Sequence, residues 1–323
     1  MRKFFQTIVF WLCSARAYTI PISVLNWIVI FIYSLKFGGN AVWGIIALFG
    51  VVLVHLATNL IDDYFDYKIL IKDEKYINSA QNCKCKYLKD NLATTKDLLT
   101  AIIIFLGLAG IIGIFLFFVS GIYVGVIAFL ALIFAICYQR FSLKGLGELI
   151  IIIMYGPLLY EGIFYVMTGM LSWKVILLSL ACAMLTNSIL YTHMLMDFDG
   201  DEVSHKITLS IKFKTKERAL KFLSLFYILT YLIIFCFAFV SRNYYCFLTL
   251  FVLPLIFDLY NSLYLFNKDK TNVPKIRLWH YPLDNWNKIK HTKDAPFYFR
   301  FFYSRNILVL FMFLLSLALI LQN

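Results

Sequence analysis

Long runs of apolar residues, rather than an alternation of apolar and polar positions, dominate this chain. Nine of the runs approach the ~17–25 residues that a helix needs to cross a bilayer. They cover residues 18–36, 41–61, 98–119, 121–138, 147–169, 173–196, 219–240, 244–266 and 304–321. The pattern predicts an all-α, polytopic membrane protein with about nine transmembrane helices. No cleaved signal is expected in the first 17 residues, whose apolar core is short.

Composition supports a membrane location. Of the 323 residues, 62% are hydrophobic and 15% are charged, whereas a soluble domain has about 45–50% apolar and about 25% charged residues. The excess apolar surface therefore needs lipid. The seven cysteines lie mostly in apolar runs, where cysteine packs as a small hydrophobic residue, and no cysteine chemistry is predicted.

Basic residues predict the orientation. All but three of the 30 lysine and arginine residues lie in the N-terminal segment or near the loops after even-numbered helices; the exceptions are Lys36, Lys174 and Arg242. Such asymmetry is typical of the cytoplasmic side. We therefore expect a multi-pass protein of the inner (cytoplasmic) membrane, with its N-terminus and loops 67–97, 197–218 and 267–303 in the cytoplasm. The net charge of +12 then reflects topology and membrane lipid, and no nucleic-acid partner is expected.

Acidic residues are few, 18 in all, and they concentrate at two helix ends. At the end of the second predicted helix, four polar residues have offsets of 0, 3, 4 and 7 and share one helix face. They are Asn59, Asp62, Asp63 and Asp66. We call the three acids the first aspartate cluster.

The end of the sixth predicted helix repeats the pattern. His193, Asp197 and Asp201 have offsets of 0, 4 and 8 and share a face, while Asp199 points elsewhere. We call Asp197, Asp199 and Asp201 the second aspartate cluster. Both clusters lie at inner helix ends, so we expect them to converge on one polar pocket.

Two carboxylate clusters favour a hard cation. Magnesium prefers oxygen ligands and is typically held by one or two carboxylates together with substrate phosphates. The sequence therefore predicts a site for Mg²⁺ and a diphosphate. The plainer alternative is that these acids are solvated helix ends, offset by nearby lysines.

Other polar residues are less informative. Glu161 and Asp258 could face a polar cavity or pair with a histidine or tyrosine, and His55 is expected to pack in the core. The tract 279–303 mixes aromatic residues and lysines as an interfacial segment does, and no binding site is predicted there.

These motifs resemble those of the UbiA superfamily of intramembrane prenyltransferases. "NLIDDYFDYK" resembles its first Asp-rich motif and "DFDGDEVSHKITLSIKF" its second. "CYQRFSLKGLGELIIIIMYGPLLYEGIFYVMTG" and "ARAYTIPIS" are similar to its 1,4-dihydroxy-2-naphthoate branch. One departure is the loop 67–97, which contains neither the arginine nor the proline that members often carry there.

The resemblance implies a single transmembrane prenyltransferase domain over residues 1–323, with a UbiA-like helix bundle around a central cavity. It implies a catalytic set of Asn59, Asp63, Asp66, Tyr138, Asp197, Asp201 and Lys206. Metal ligands would be Asp62, Asp63, Asp66, Asp197 and Asp201, with Mg²⁺ as the cofactor. Diphosphate contacts would come from Lys68, Arg140 and Lys206.

The function expected from motifs and resemblance is transfer of a polyprenyl group from a polyprenyl diphosphate to a small aromatic acceptor. The favoured acceptor is 1,4-dihydroxy-2-naphthoate, in menaquinone biosynthesis. Other acceptors are 4-hydroxybenzoate, a glycerol phosphate ether lipid or a porphyrin. A cation transporter is the alternative from another class, although transporters place ion sites near the bilayer midplane, whereas both clusters lie at one interface.

Overall fold

The computed structural model of this chain describes residues 2–70, 85–203 and 207–322. Within these ranges the chain is helical and contains no strand. Its α-helices, in chain order, are α1 (Arg2–Ser14), α2 (Ile20–Leu35), α3 (Ala41–Leu70), α4 (Lys86–Lys89), α5 (Thr95–Ser120), α6 (Ile122–Ser142), α7 (Gly147–Ile153), α8 (Leu159–Thr168), α9 (Trp173–Met196), α10 (Phe198–Val203), α11 (Leu209–Lys212), α12 (Lys216–Ser241), α13 (Leu253–Lys268), α14 (Trp286–Ile289) and α15 (Ala295–Leu321).

Nine helical segments of the described chain are long and apolar enough to cross a membrane. They run from Ala17–Leu35 to Ala295–Leu321, and each matches one of the predicted apolar runs. The prediction of an all-α, multi-pass membrane protein is therefore confirmed.

Two predicted boundaries were wrong for a physical reason. The helix predicted to end at residue 61 continues to Leu70, and the helix predicted to begin at residue 304 begins at Ala295. Hydropathy ends a span at charged residues, whereas here the charged residues have partners. Asp63 meets Arg16, and the guanidinium of Arg300 donates to backbone carbonyl groups.

The fifth predicted span is interrupted. Helix α7 ends at Ile153, a π-helical turn follows over Met154–Leu158, and helix α8 continues from Leu159. Pro157 causes the interruption, because proline lacks an N–H and disfavours helical backbone at the residue before it. Gly156 accordingly has non-helical angles of φ −98° and ψ −114°.

The chain forms two compact units. Unit 1 comprises Met1–Ser142 and Pro157–Ser172, and unit 2 comprises Leu143–Gly156 and Trp173–Asn323. Unit 1 therefore contains the first aspartate cluster, and unit 2 contains the second.

Unit 1 is held by close helix packing. Helix α3 packs against α2, α5 and α8. Trp27 Nε1 donates to Gly44 O at 2.9 Å, and a Cβ at Gly44 would lie 2.6 Å from Met167 Sδ. A glycine at position 44 therefore lets α2 and α8 approach α3 closely.

Unit 2 is built around α9. Buried residues make up 72% of an 18-residue stretch within the span Trp173–Met196, compared with 11% within the span Thr95–Ser120 of unit 1. Helix α9 packs against α7, α12 and α15, and Tyr191 Oη donates to Ala219 O at 2.9 Å. The second aspartate cluster therefore follows the most enclosed helix of its unit.

Candidate active site

The first aspartate cluster lies on the last turns of α3, in unit 1. Because the helix continues to Leu70, the predicted spacing places all three acids on helical backbone. Asp63 is only 2% exposed and Asp66 only 7%. Buried carboxylates are costly unless they are paired, so their partners define this site.

Arg16 is the cationic partner of the cluster. Its Nη2 donates to Asp63 Oδ1 at 2.7 Å, to Asp62 Oδ2 at 3.3 Å and to the backbone oxygen of Asn59 at 2.7 Å. Burial acts to lower the pKa of Arg16, but the charges of Asp62 and Asp63 outweigh it and raise the pKa above its usual value. The guanidinium therefore stays charged and neutralises the cluster.

Asn59 positions the segment that carries Arg16. Its Nδ2 donates to Ala15 O at 2.9 Å and to Thr19 Oγ1 at 3.2 Å. Arg16 itself has left-handed backbone, with φ 56°. The turn and the Asn59 hydrogen bonds hold the arginine against α3. In this structure the side-chain amide of Asn59 therefore supports Arg16.

Asp63 has two further partners, from the described segment that begins at Cys85. Tyr87 Oη donates to Asp63 Oδ2 at 3.1 Å, and Cys85 Sγ donates to Asp63 O at 3.1 Å. Burial and the nearby carboxylate of Asp63 raise the pKa of Tyr87. The phenol therefore keeps its proton and serves as a hydrogen-bond donor.

The end of α6 contacts Asp66. Gln139 is buried, and its Nε2 donates to Asp66 Oδ1 at 2.8 Å. The neighbouring predicted site residues differ in their environment, because Tyr138 is half-buried and Arg140 is exposed. The structure thus places the 138–140 stretch beside the first aspartate cluster through Gln139.

Lys68 contacts an aromatic ring in this structure. Its Nζ lies 4.3 Å from the centroid of the Tyr64 ring, and its side chain is exposed. The predicted contact of Lys68 with a diphosphate stays a prediction.

The second aspartate cluster begins where α9 ends, in unit 2. His193 Nδ1 lies 3.2 Å from Asp197 Oδ2, as the spacing of four predicts. The backbone N–H of Asp201 donates to Asp197 O at 2.9 Å, so the helical path continues into α10. Asp201 is buried, whereas the side chain of Asp197 is 23% exposed. Asp197 is therefore the accessible acid on this shared face.

Asp199 points elsewhere, as expected. Its carboxylate lies 2.7 Å from Lys216 Nζ and 2.5 Å from Lys270 Nζ. Partial burial acts to raise the pKa of Asp199, but the hydrogen bonds and charges of the two lysines outweigh it and lower the pKa. Lys206 lies outside the described residues, so its predicted role stays a prediction.

Sequence reasoning missed three residues of the first site. Arg16, Tyr87 and Gln139 all contact the aspartates, but none was predicted to do so. Gln139 and Arg16 lie inside motifs that carried the resemblance, which is a signal that could have found them. Tyr87 lies in a part of the sequence without a recognisable motif, and only the fold brings it to Asp63.

The donor set of the first cluster suits a hard cation. A positive group already lies between Asp62 and Asp63, since both carboxylates contact the same guanidinium nitrogen. No three His, Cys, Asp or Glu side chains of the described chain are grouped to hold a metal by themselves. Magnesium needs no such group, because it is typically held by one or two carboxylates and substrate phosphates. Asp62, Asp63 and Asp66 therefore fit Mg²⁺ as oxygen donors.

Comparison with known proteins identifies the class of this helical membrane protein. Residues 25–281 match the UbiA prenyltransferase family, and the chain therefore belongs to that family. Members of the family are prenyltransferases, so the chain is a multi-pass membrane prenyltransferase. The expected family is confirmed.

Two relatives match part of the chain. A 1,4-dihydroxy-2-naphthoate octaprenyltransferase from Mycobacterium leprae (strain TN) is 23% identical over 208 residues, which are 62% of this chain and 68% of that protein. A UbiA prenyltransferase domain-containing protein 1 homolog from Drosophila melanogaster is 29% identical over 170 residues. This match covers 50% of this chain and 45% of the Drosophila protein, so the chain spans less than half of its length.

A solved structure shares the fold. It is described as "Structural and mechanistic insights into the biosynthesis of Digeranylgeranylglyceryl phosphate synthase in membranes". It aligns with a TM-score of 0.58 at 19% identity, over 98% of each chain. The predicted UbiA-like fold is thereby confirmed.

Proposed function

We propose that this prenyltransferase moves a polyprenyl group, in a magnesium-dependent reaction, from a polyprenyl diphosphate to an aromatic acceptor. The observation that carries the proposal is the first aspartate cluster, where two carboxylates already converge on one cationic nitrogen. Such a site binds positive charge on a membrane helix, as a metal-bridged diphosphate requires. Family membership supports the same reaction.

In the proposed reaction, the aspartates of the two clusters bind the metal. A bound magnesium ion supplies positive charge to the departing diphosphate. Asp62, Asp63 and Asp66 would hold one such ion, and Asp197 and Asp201 would hold a second.

Charge and aromatic groups complete the proposed site. With magnesium as the neutralising charge, Arg16 would be available to donate to the diphosphate oxygens. Lys206 and Arg140 add positive charge to the leaving group. The half-buried Tyr138 offers a ring face to the allylic cation, and such a contact contributes about 0.5–2 kcal/mol.

The favoured acceptor is 1,4-dihydroxy-2-naphthoate, which would place the protein in menaquinone biosynthesis. Two observations support this acceptor. Asn59 and Asp66 are seven residues apart, as in the naphthoate branch that the motifs resemble. In addition, the Mycobacterium leprae relative is a 1,4-dihydroxy-2-naphthoate octaprenyltransferase.

One assay tests both donor and acceptor. Membranes containing the protein receive labelled farnesyl or longer prenyl diphosphate and Mg²⁺. Dihydroxynaphthoate, hydroxybenzoate and a glycerol phosphate ether lipid are supplied in parallel. We expect a prenylated naphthol that disappears when EDTA removes the metal. Product with another acceptor alone would overturn the naphthoate assignment, and no product from intact protein would overturn the reaction itself.

A thermal assay separates the enzyme from a cation transporter. We expect Mg²⁺ together with a polyprenyl diphosphate to raise the melting temperature of the purified protein, and Mg²⁺ alone to raise it much less. Equal stabilisation by magnesium alone, with no further gain from the diphosphate, would favour the transporter.

A further inference from the structure

A small polar cavity lies in unit 2, away from both aspartate clusters in sequence. It is formed by the middle of α13, the segment after that helix and the first turns of α15, and its volume is about 140 Å³. A single water needs only about 10–15 Å³ of such space, so the cavity can hold a larger polar group. The prenyl-transfer reaction assigns no role to these residues.

The cavity wall is rigidly built. Arg300 is fully buried and donates to the backbone oxygens of Ser262, Asn272 and Pro296, all at 2.8–2.9 Å. These bonds tie the segment after α13 to both helices. Removing Arg300 would leave several buried carbonyl groups unsatisfied, so the wall keeps its shape without a ligand.

A second network fixes the opposite wall. Asp258 Oδ2 accepts hydrogen bonds from His280 Nε2 at 2.9 Å, Tyr303 Oη at 3.1 Å and Trp279 Nε1 at 3.2 Å. The backbone N–H of Arg277 donates to His280 Nδ1 at 3.0 Å. His280 therefore carries its proton on Nε2, towards Asp258. Three donors spread the charge of this carboxylate, which reduces its repulsion of an anion.

Three side chains that line the cavity can donate to a ligand. Ser262 is 5% exposed, and its buried Oγ has no hydrogen-bond partner. Lys275 and Arg277 also line the cavity, and neither pairs with a carboxylate of the described chain. Two cations and a hydroxyl donor thus face one cavity, against a single carboxylate that is already bound.

We propose that this cavity is a phosphate-binding site, separate from the prenyl-transfer site. The guanidinium of Arg277 and the ammonium of Lys275 bind the phosphate oxygens by charge-assisted hydrogen bonds, and Ser262 Oγ donates to one of them. A cation is disfavoured, because two positive side chains would repel it. The phosphate comes from the headgroup of an anionic lipid or from free phosphate, and the two sources share this chemistry.

The test uses the full-length protein in EDTA, so that magnesium-dependent binding at the aspartate clusters does not contribute. One arm titrates inorganic phosphate and follows the melting temperature in neutral detergent. The other arm measures retention of phosphatidic acid from mixed vesicles with phosphatidylcholine by native mass spectrometry. The variants are K275A/R277A, S262A and the matched control K288A/K290A, whose lysines are exposed on the same segment but do not line the cavity.

We expect the wild type and K288A/K290A to bind in at least one arm. K275A/R277A should weaken that binding about tenfold or more, because two charge-assisted hydrogen bonds are lost. S262A should weaken it about threefold to tenfold. A response to inorganic phosphate identifies a free anion as the ligand, and a response to phosphatidic acid alone identifies the lipid headgroup. Equal binding by K275A/R277A and K288A/K290A, or no binding by the wild type in either arm, would overturn the proposal.

Discussion

The two aspartate clusters share a sequence pattern but differ in how their charge is neutralised. In the first cluster, Asp63 is buried against Arg16 and Tyr87. In the second cluster, Asp197 is 23% exposed and lies 3.2 Å from His193 of the preceding turn, while Asp199 binds Lys216 and Lys270. The guanidinium of the first cluster therefore lies between its buried acids, whereas the lysines of the second cluster bind the acid that points away from the shared face.

This difference affects how each cluster can bind a metal ion. A metal at the first cluster has to replace a guanidinium held by three oxygen atoms. A metal at Asp197 would approach a partly exposed carboxylate that lies beside an imidazole rather than a guanidinium. We therefore expect Arg16 to set the magnesium requirement of the protein, and each of the following substitutions tests that contrast.

The largest effect is expected for Asp63→Asn. The substitution removes the buried negative charge of Asp63, which contacts Arg16 and which would bind magnesium in the proposed reaction. We expect prenyl transfer to fall on the order of 10³-fold, at the upper end of losses for one preorganised electrostatic group. The measurement is product formation at saturating diphosphate. Asp62→Asn is the matched control, and because Asp62 holds Arg16 at the longer distance of 3.3 Å, its loss should be smaller. Equal losses of prenyl-transfer activity in Asp63→Asn and Asp62→Asn would contradict the expectation that Asp63 contributes more than Asp62.

A second effect distinguishes two acids of the second aspartate cluster. Asp197→Asn should lower prenyl transfer on the order of 10²-fold, because Asp197 is the accessible carboxylate on the shared face. Asp199→Asn should leave the rate within about twofold, because Asp199 binds Lys216 and Lys270 at a surface where ion pairs contribute about 0–1 kcal/mol. Prenyl-transfer rates of the two variants, measured in parallel at several magnesium concentrations, check both expectations. Similar losses for the two variants would mean that Asp199 belongs to the site.

Periodicity predicted the helices and the faces of the aspartates because both depend on spacing alone. Apolar runs located nine membrane-crossing segments, and offsets of three and four placed His193 against Asp197. The interruption at Gly156 and Pro157 was not predicted, although Pro157 was visible. A proline inside a long apolar run leaves hydropathy high while it breaks the helix.

Long-range partners could not be predicted from spacing. Arg16 is 47 residues from Asp63 and Gln139 is 73 residues from Asp66, so only the packing of α3 within unit 1 brings them together. The cavity near Asp258 shows the same limit. The tract 279–303 was interpreted as an interfacial segment with no site, because only the fold brings its buried His280 beside Asp258 and Ser262. The cavity's cations, Lys275 and Arg277, precede that tract.

The third prediction concerns Arg16→Gln. Loss of the guanidinium leaves Asp63 buried without its cation, and breaking a buried pair costs about 3–5 kcal/mol; because Arg16 is partly exposed, we expect about 2–3 kcal/mol. The melting temperature in EDTA should therefore fall clearly. Magnesium should restore more of the stability in this variant than in the wild type, because the carboxylates no longer have to release Arg16.

Arg16→Lys is the control for charge alone. It keeps a cation but loses the planar group that reaches three oxygens at once, so it should lie between the wild type and Arg16→Gln in EDTA. A magnesium-induced rise in melting temperature that is the same in all three proteins would contradict competition between Arg16 and the metal.

The smallest effect is expected for Gln139, whose amide is the bond from α6 to the first aspartate cluster. Gln139→Leu removes the 2.8 Å donor to Asp66 while Arg16 and Asp63 keep their contacts. A hydrogen bond to a charged group contributes about 1.5–3 kcal/mol. We expect about a fivefold to tenfold rise in the magnesium concentration for half-maximal rate, with a smaller change in the maximal rate.

Gln139→Glu keeps the shape of the side chain but places a second carboxylate beside Asp66. Repulsion between the two carboxylates should therefore lower the melting temperature in EDTA, and magnesium should largely restore it. If neither variant changes the response to magnesium, Gln139 does not position Asp66 for the metal.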